Sequence, residues 1–306
     1  MALPLGFSAI GLLTFLVLTF VICTTVNTFA MEAAVLFVPA FLFVYPELVP
    51  AFPTVTLQAA IGLALFVELF GYTSSVSAYY YRGHVDLDVA KAILAISIPV
   101  AVVTRALSYF APSAALKVLF GGMLIGLSVV LFRAHDGEDH ADAVAADGGE
   151  PSDARSAPSN PQSDGGPPAS PASSFDRYDR LVAGVGGAMA GFVAIAIGEL
   201  TQTLLTVRKR VSVRLSTGTS ALVLHGTIVA ALITNLLLLR YAPPSFSGHS
   251  FTVPFDFGLV AGMTCLVGGQ AGAFINSRVS EQTTLRAMMV VYSLVGAFVL
   301  FRVFFL

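Results

Sequence analysis

Residues 195–206 read IAIGELTQTLLT, and residues 29–40 read FAMEAAVLFVPA. Each places a glutamate, Glu199 or Glu32, inside a run otherwise built for lipid. An ionisable group in hydrocarbon costs several kcal/mol unless it is paired, hydrated or protonated, so it is a functional candidate by default. The apolar runs around them decide the class. Of 306 residues, 56% are hydrophobic and only 11% charged, whereas a soluble domain carries about 25% charge. Mean hydropathy is +0.83. Several stretches exceed the roughly 18 residues that cross a bilayer as helix. The chain reads as an all-α, multi-pass protein of the cell membrane.

Spans are expected at about 5–28, 54–80, 88–110, 113–132, 179–198, 212–240, 254–275 and 282–304. A short apolar piece at about 31–45 is too short to span comfortably. The N-terminus has no basic n-region and reads as a retained first helix. Residues 134–177 form an Asp-, Ser-, Pro- and Gly-rich segment with almost no large apolar residue. Such a segment buries too little surface to offset its ordering entropy, and it is expected to be a disordered linker. Ten of the 18 acidic residues lie between Asp136 and Asp179, and only Lys91, Lys117 and Lys209 are lysine. That balance suits high salt.

The linker separates residues 1–133 from 178–306, and the halves resemble each other. ALKVLFGGMLIGLSVVLFR (115–133) aligns without gaps on TLRAMMVVYSLVGAFVLFR (284–302), and FPTVTLQAA (52–60) on LSTGTSALV (215–223). Glu32 meets Glu199. Fixed-period self-similarity is the mark of a repeat: two four-helix units, each with a broken first helix. Four is an even number of spans, so the repeats are expected to share one orientation, with both termini and the linker on one face. The basic cluster TVRKRVSVR (206–214) would mark the cytoplasmic side. Arg82, Lys91, Arg133, Arg177 and Arg180 fall on the other side in that threading.

Glu32 and Glu199, at matching breaks, are candidates to carry coupling protons or gate a site at the repeat interface. TVT (54–56) and STGTS (216–220) open the second helix of each repeat. Thr54, Thr56, Thr217, Thr219 and Ser220 are candidates to hold an anion at helix N-termini, against plain N-capping. Pro39 ends the short apolar piece and frees carbonyls. Gln270, in LVGGQAGAF (266–274), is a candidate for a polar cavity, in a stretch otherwise suited to close helix packing. Glu68 and His225 lie on equivalent helices, where a pairing competes with separate polar contacts. Cys23 and Cys265 lie in apolar runs, where small hydrophobes in helices are expected rather than a disulfide or a zinc site. Metalloprotease, nucleophile-elbow and P-loop motifs are missing, so no catalytic residues, metal or cofactor are expected.

The paired breaks, the VPAF proline (38–41), TVT and GTS opening the next helix, and GGQAGAFINSR (268–278) together resemble the sulfite exporter TauE/SafE family over most of the chain. The resemblance implies a secondary permease for sulfite, organosulfonates or related small anions, working in the lipid bilayer with no nucleic acid partner. The family commonly has glycine-rich stretches at the breaks. Here they read NTFAMEAA and AIAIGELTQ, and the glutamates favour ion or proton coupling. The alternatives are a non-transporting membrane scaffold or accessory subunit, and an intramembrane enzyme.

Overall fold

The computed structural model describes residues 4–29, 31–147, 175–241, 253–276 and 278–305. Its helices are α1 (Ala9–Thr28), α2 (Ala34–Leu48), α3 (Leu57–Tyr81), α4 (Leu87–Ser108), α5 (Ser113–Asp147), α6 (Arg177–Val193), α7 (Ile197–Thr203), α8 (Val213–Tyr241), α9 (Phe255–Asn276) and α10 (Glu281–Phe305). Among the described residues six are long and apolar enough to cross a membrane: α1, α3, α4, α5 over Ser113–Phe132, α8 and α10. Of the acidic segment, residues 148–174 lie outside the described residues.

The short apolar piece is the return arm of a hairpin. Tyr45, late in α2, packs its ring on Phe15 of α1, and its hydroxyl lies 2.8 Å from the Thr19 hydroxyl. So α2 runs back beside α1. Pro39 does not end α2. It lacks an N–H and crowds the preceding turn, and the helix absorbs it with one π-helical turn, Ala40–Val44, before continuing.

The second half repeats this. After α6 the chain turns through Ala194 and Ala196, both in left-handed backbone (φ 60° and 85°). It returns as α7 and a π turn, Leu204–Arg208. Arg208 then reaches Asp176 and Asp179 at the start of α6. The repeats therefore each consist of a re-entrant hairpin, with arms α1–α2 or α6–α7, followed by three long helices. Irregular backbone at membrane depth is tolerated where protein surrounds it, and both turns are enclosed.

Helix directions follow from close contacts. A Cβ on Gly62 of α3 would meet Asn235 late in α8, and one on Gly218 early in α8 would meet His84 just past the end of α3. α3 and α8 are therefore antiparallel. Gly121 lies against Leu300, and Ser128 bonds Ser293, so α5 and α10 are antiparallel too. α1 runs parallel to α9 (Cys23 beside Cys265, Gly272 against Thr24 and Thr28) and α4 parallel to α6 (Gly187 against Ser97, Gly191 against Ala101). Each counterpart pair thus points opposite ways. The expectation of a shared orientation is corrected: a hairpin enters and leaves by one face, so each half crosses an odd number of times. The start of α6 lies on the face opposite the start of α1 and the end of α10.

This threading collects charge. Arg82, Lys91, Arg177, Arg180, Arg208, Lys209, Arg210, Arg214, Arg278 and Arg286 all sit at helix ends on one face. Lys117, Arg240 and Arg302 sit at the other. Short cytoplasmic segments carry the excess of Lys and Arg, and the division is now one-sided where the shared-orientation threading split it.

Candidate functional site

The two hairpins enter from opposite faces and their tips meet in the middle. Glu32, at the first tip, is 2% exposed. Its Oε1 accepts a hydrogen bond from the Gly198 N–H at 2.7 Å, and its Oε2 accepts from the Ala196 N–H. Both donors belong to the head of α7. Glu199 Oε1 in turn accepts from the Glu32 N–H at 3.3 Å and from the Tyr292 hydroxyl at 2.6 Å. Glu68 completes the cluster, its Oε1 accepting from the Ala34 N–H, first in α2, at 2.5 Å. Glu68 lies near the middle of α3 and Tyr292 near the middle of α10, so the cluster is at mid-membrane.

The chemistry follows from the ends of the return arms. The first N–H groups of a helix have no partner within it, and the dipole adds positive charge there. Both return arms begin at mid-membrane, and carboxylates of the protein itself occupy them. Glu199 Oε2 and Glu68 Oε2 are buried and have no hydrogen-bond partner. Gly198 lets this happen, because a Cβ there would stand 3.1 Å from Glu32 Oε1 and 3.2 Å from Leu224.

The other sequence candidates are dispersed. Thr54 and Thr56 are exposed at the mouth of the first hairpin, where Thr56 Oγ1 accepts from the Ala59 N–H as an ordinary cap. Thr219 is buried and accepts from the Asp86 N–H at 2.9 Å, and Ser220 bonds back to the Thr217 carbonyl. Thr217 touches Gln202 of α7 at 3.2 Å. These hydroxyls lie within α8 rather than at its start. Gln270 is exposed and bonds Ser74 at 2.9 Å, while Gly268 and Gly272 beside it do pack closely on α1. Glu68 and His225 do not pair: Glu68 bonds Ala34, and His225 Nδ1 has no partner.

Two features were not anticipated. Cys23 and Cys265 form a disulfide with 5.5 Å between Cα atoms, which corrects the expectation of two separate small hydrophobes. The parallel packing of α1 on α9 brings them together. The other feature is Arg105, fully buried. Its Nη2 donates to the Gln58 carbonyl at 3.0 Å and its Nε to Asn235 Oδ1 at 3.1 Å. It has no carboxylate partner among the described residues. A lone arginine in AVVTRALSYF (101–110) was the available signal, by the same rule that singled out the glutamates.

The mouth of the second hairpin is ionic. Asp179 is buried between Arg208 and Lys209, and Arg208 also binds the exposed Asp176 at 2.6 Å. That hydrogen bond from Arg208 holds the Asp176 carboxyl well below the ordinary carboxylate range.

A surface depression between α1 and α9 is lined by Leu16, Val17, Phe20, Leu259, Met263 and their apolar neighbours, and is a lipid-facing groove. A small cavity instead adjoins the first tip, lined by Asn27, Glu68, Tyr72 and the disulfide.

A family model described as Sulfite exporter TauE/SafE matches residues 7–300, nearly the whole chain. No curated protein and no solved structure matches it.

Proposed function

We propose, for a chain that belongs to the sulfite exporter TauE/SafE family, that it moves a small anion such as sulfite or an organosulfonate between the two hairpin tips. Membership makes the chain a multi-pass membrane transporter. The finer reading rests on one observation: the Glu32 carboxylate sits on the N–H groups of Ala196 and Gly198. Those are the donors a transported anion would seek. Glu32 therefore acts as a tethered stand-in for the substrate. Protonation of Glu32 weakens its hold, because charge-assisted hydrogen bonds are roughly twice as strong as neutral ones. The freed N–H groups then accept the anion, so proton and anion load together. Glu199, held by Tyr292, repeats the arrangement toward the first tip through the Glu32 N–H. Gln202, along α7 from Glu199, and Thr217 of α8, which it touches, then line the exit to the cytoplasmic face in this reading.

The test is uptake in proteoliposomes under a set pH gradient, offering sulfite, sulfate, taurine and sulfoacetate. Wild type is compared with Glu32→Gln and Glu199→Gln. The expected result is one anion moving with the gradient and loss of its pH dependence in Glu32→Gln. A non-transporting scaffold is the second reading, and the closed packing around Glu32 speaks for it. It predicts no uptake of any of the four and variants that differ from wild type only in stability.

A further inference from the structure

One buried charge takes no part in the tips. Arg105 is fully enclosed by protein, and so is Asn235. An arginine stays protonated in a protein, and a buried charge is costly unless it is paired. Being enclosed, this guanidinium also cannot reach a lipid phosphate, as arginines near a membrane surface do. Its partners are all neutral. Nε and Nη2 donate to Asn235 Oδ1, and Nη2 donates to the Gln58 carbonyl as well. Tyr109 lays its ring 5.5 Å from the guanidinium carbon, and its hydroxyl donates to the same Asn235 oxygen at 2.7 Å. Among the described residues no carboxylate bonds Arg105. Arg105 Nη1 and Asn235 Nδ2 are buried and have no hydrogen-bond partner, and each of these nitrogens carries two N–H donors. Two touching side chains thus hold one positive charge and a surplus of unspent donors, while the amide oxygen between them is already taken.

We propose that Arg105 and Asn235 bind one small anion, either chloride or the anion that the protein moves. Unpaired N–H donors on a fixed positive charge suit an anion and repel a cation. The ion supplies the counter-charge that no side chain bonded to Arg105 provides. Gln58 lies at the start of α3, and Arg105 and Asn235 lie in the last two turns of α4 and α8. The site is therefore toward the face opposite the basic one. Ten residues of α3 separate Gln58 from Glu68, about 15 Å along the helix. So the site stands apart from the tips, between them and that outer face. Three helices, α3, α4 and α8, meet at it, and a bound anion ties them together there. The site stands whether or not the tips carry an anion.

The test uses the purified full chain in detergent at fixed pH and ionic strength. Thermal unfolding is followed in sodium chloride and in sodium gluconate, whose anion is too bulky for an enclosed site. Binding of radioactive chloride is measured at equilibrium. Wild type is expected to bind chloride and to melt about 3 °C or more higher in it than in gluconate. Asn235→Asp adds no bulk and gives Arg105 a carboxylate of its own, so this variant is expected to lose the bound chloride and to melt alike in both salts. Equal melting of wild type with no bound radiochloride overturns the proposal, and so does a chloride effect undiminished in Asn235→Asp. If that variant does not fold, Arg105→Lys decides the matter. It keeps the charge without the planar fork, so chloride binding should weaken, and unweakened binding overturns the proposal. Competition with sulfite separates the two sources, and both of its outcomes uphold the site. Displaced radiochloride means that the site takes the transported anion, and retained radiochloride means a resident ion. Anion uptake on a pH gradient, with no chloride bound, keeps the transport reading and removes this site.

Discussion

The two hairpins share one shape and enter from opposite faces, yet they are fastened differently. The first is anchored by apolar packing and a covalent bond. Phe7, Phe15, Tyr45, Phe52 and Phe257 form one aromatic cluster at its mouth, and Cys23–Cys265 ties α1 to α9. The second is closed at its mouth by Arg208, Lys209, Asp176 and Asp179. Its tip carries two left-handed alanines, each costing on the order of 1 kcal/mol or more. The first hairpin is thus held covalently and by aromatic packing, and the second by ion pairs and a turn with two left-handed alanines.

The comparison breaks most severely at Gly191. A Cβ there would fall 2.5 Å from the Ala101 carbonyl oxygen and 3.0 Å from its Cα, so the second hairpin's outgoing arm loses its seat on α4. Gly191→Val is expected to cost about 3 kcal/mol or more and to abolish the monodisperse peak in gel filtration. Gly184→Ala, with nothing within 4 Å of its Cβ, should behave as wild type. A normal peak for Gly191→Val would refute the packing.

Removing the disulfide should come next. Cys23→Ser with Cys265→Ser is expected to cost about 2–4 kcal/mol, read as a lower melting temperature that no longer responds to reductant. A wild type indifferent to reductant would mean that the first hairpin is not covalently held.

Ala196→Gly sharpens the contrast from the other side. Glycine adopts positive φ without a Cβ penalty, so the variant is expected to melt higher, by about 1 kcal/mol or less. If the strain helps drive opening, uptake should slow while stability rises. Tyr292→Phe removes one hydrogen bond to a buried carboxylate, about 1.5–3 kcal/mol, partly recovered as the site relaxes.

The smallest effect is expected at the ionic clasp. Because Arg208 lowers the Asp176 carboxyl, that pair's contribution is present above the ordinary aspartate value near 3.9 and fades as pH falls below it. Arg208→Gln should remove this acid dependence and make tip opening, followed by hydrogen exchange at 194–200, less sensitive to salt. Unchanged salt sensitivity would assign the clasp no part in opening.

Much of this was legible in the residues. The all-α membrane class and the long apolar helices follow from apolar length, but where eight spans are expected, six helices are long and apolar enough to cross among the described residues. The threading was not legible. Residues 31–45 were visibly too short to span, but length alone does not say whether a short helix ends a crossing or turns back. In the second half the return arm, 197–208, was hidden because α6 and the start of α7 read as one continuous apolar run. Miscounting the turn-backs reversed the parity, and with it the relation of the halves. The hydroxyls of TVT and STGTS looked equivalent by alignment, yet one set caps an exposed helix end and the other lies inside α8. Cys23 and Cys265 lie 242 residues apart, and no local signal pairs residues at that distance. The pairing depends on glycines at 268 and 272 drawing α9 onto α1.

The bond between Cys23 and Cys265 also changes what counts as one piece of this molecule. It closes a ring of backbone that includes the whole acidic segment. A protease cutting within 148–174 would leave two fragments that still migrate together on a gel until a reductant parts them. In synthesis, the first hairpin cannot be sealed when it emerges, since its partner cysteine comes from the next-to-last helix. The end that is inserted first is therefore locked last.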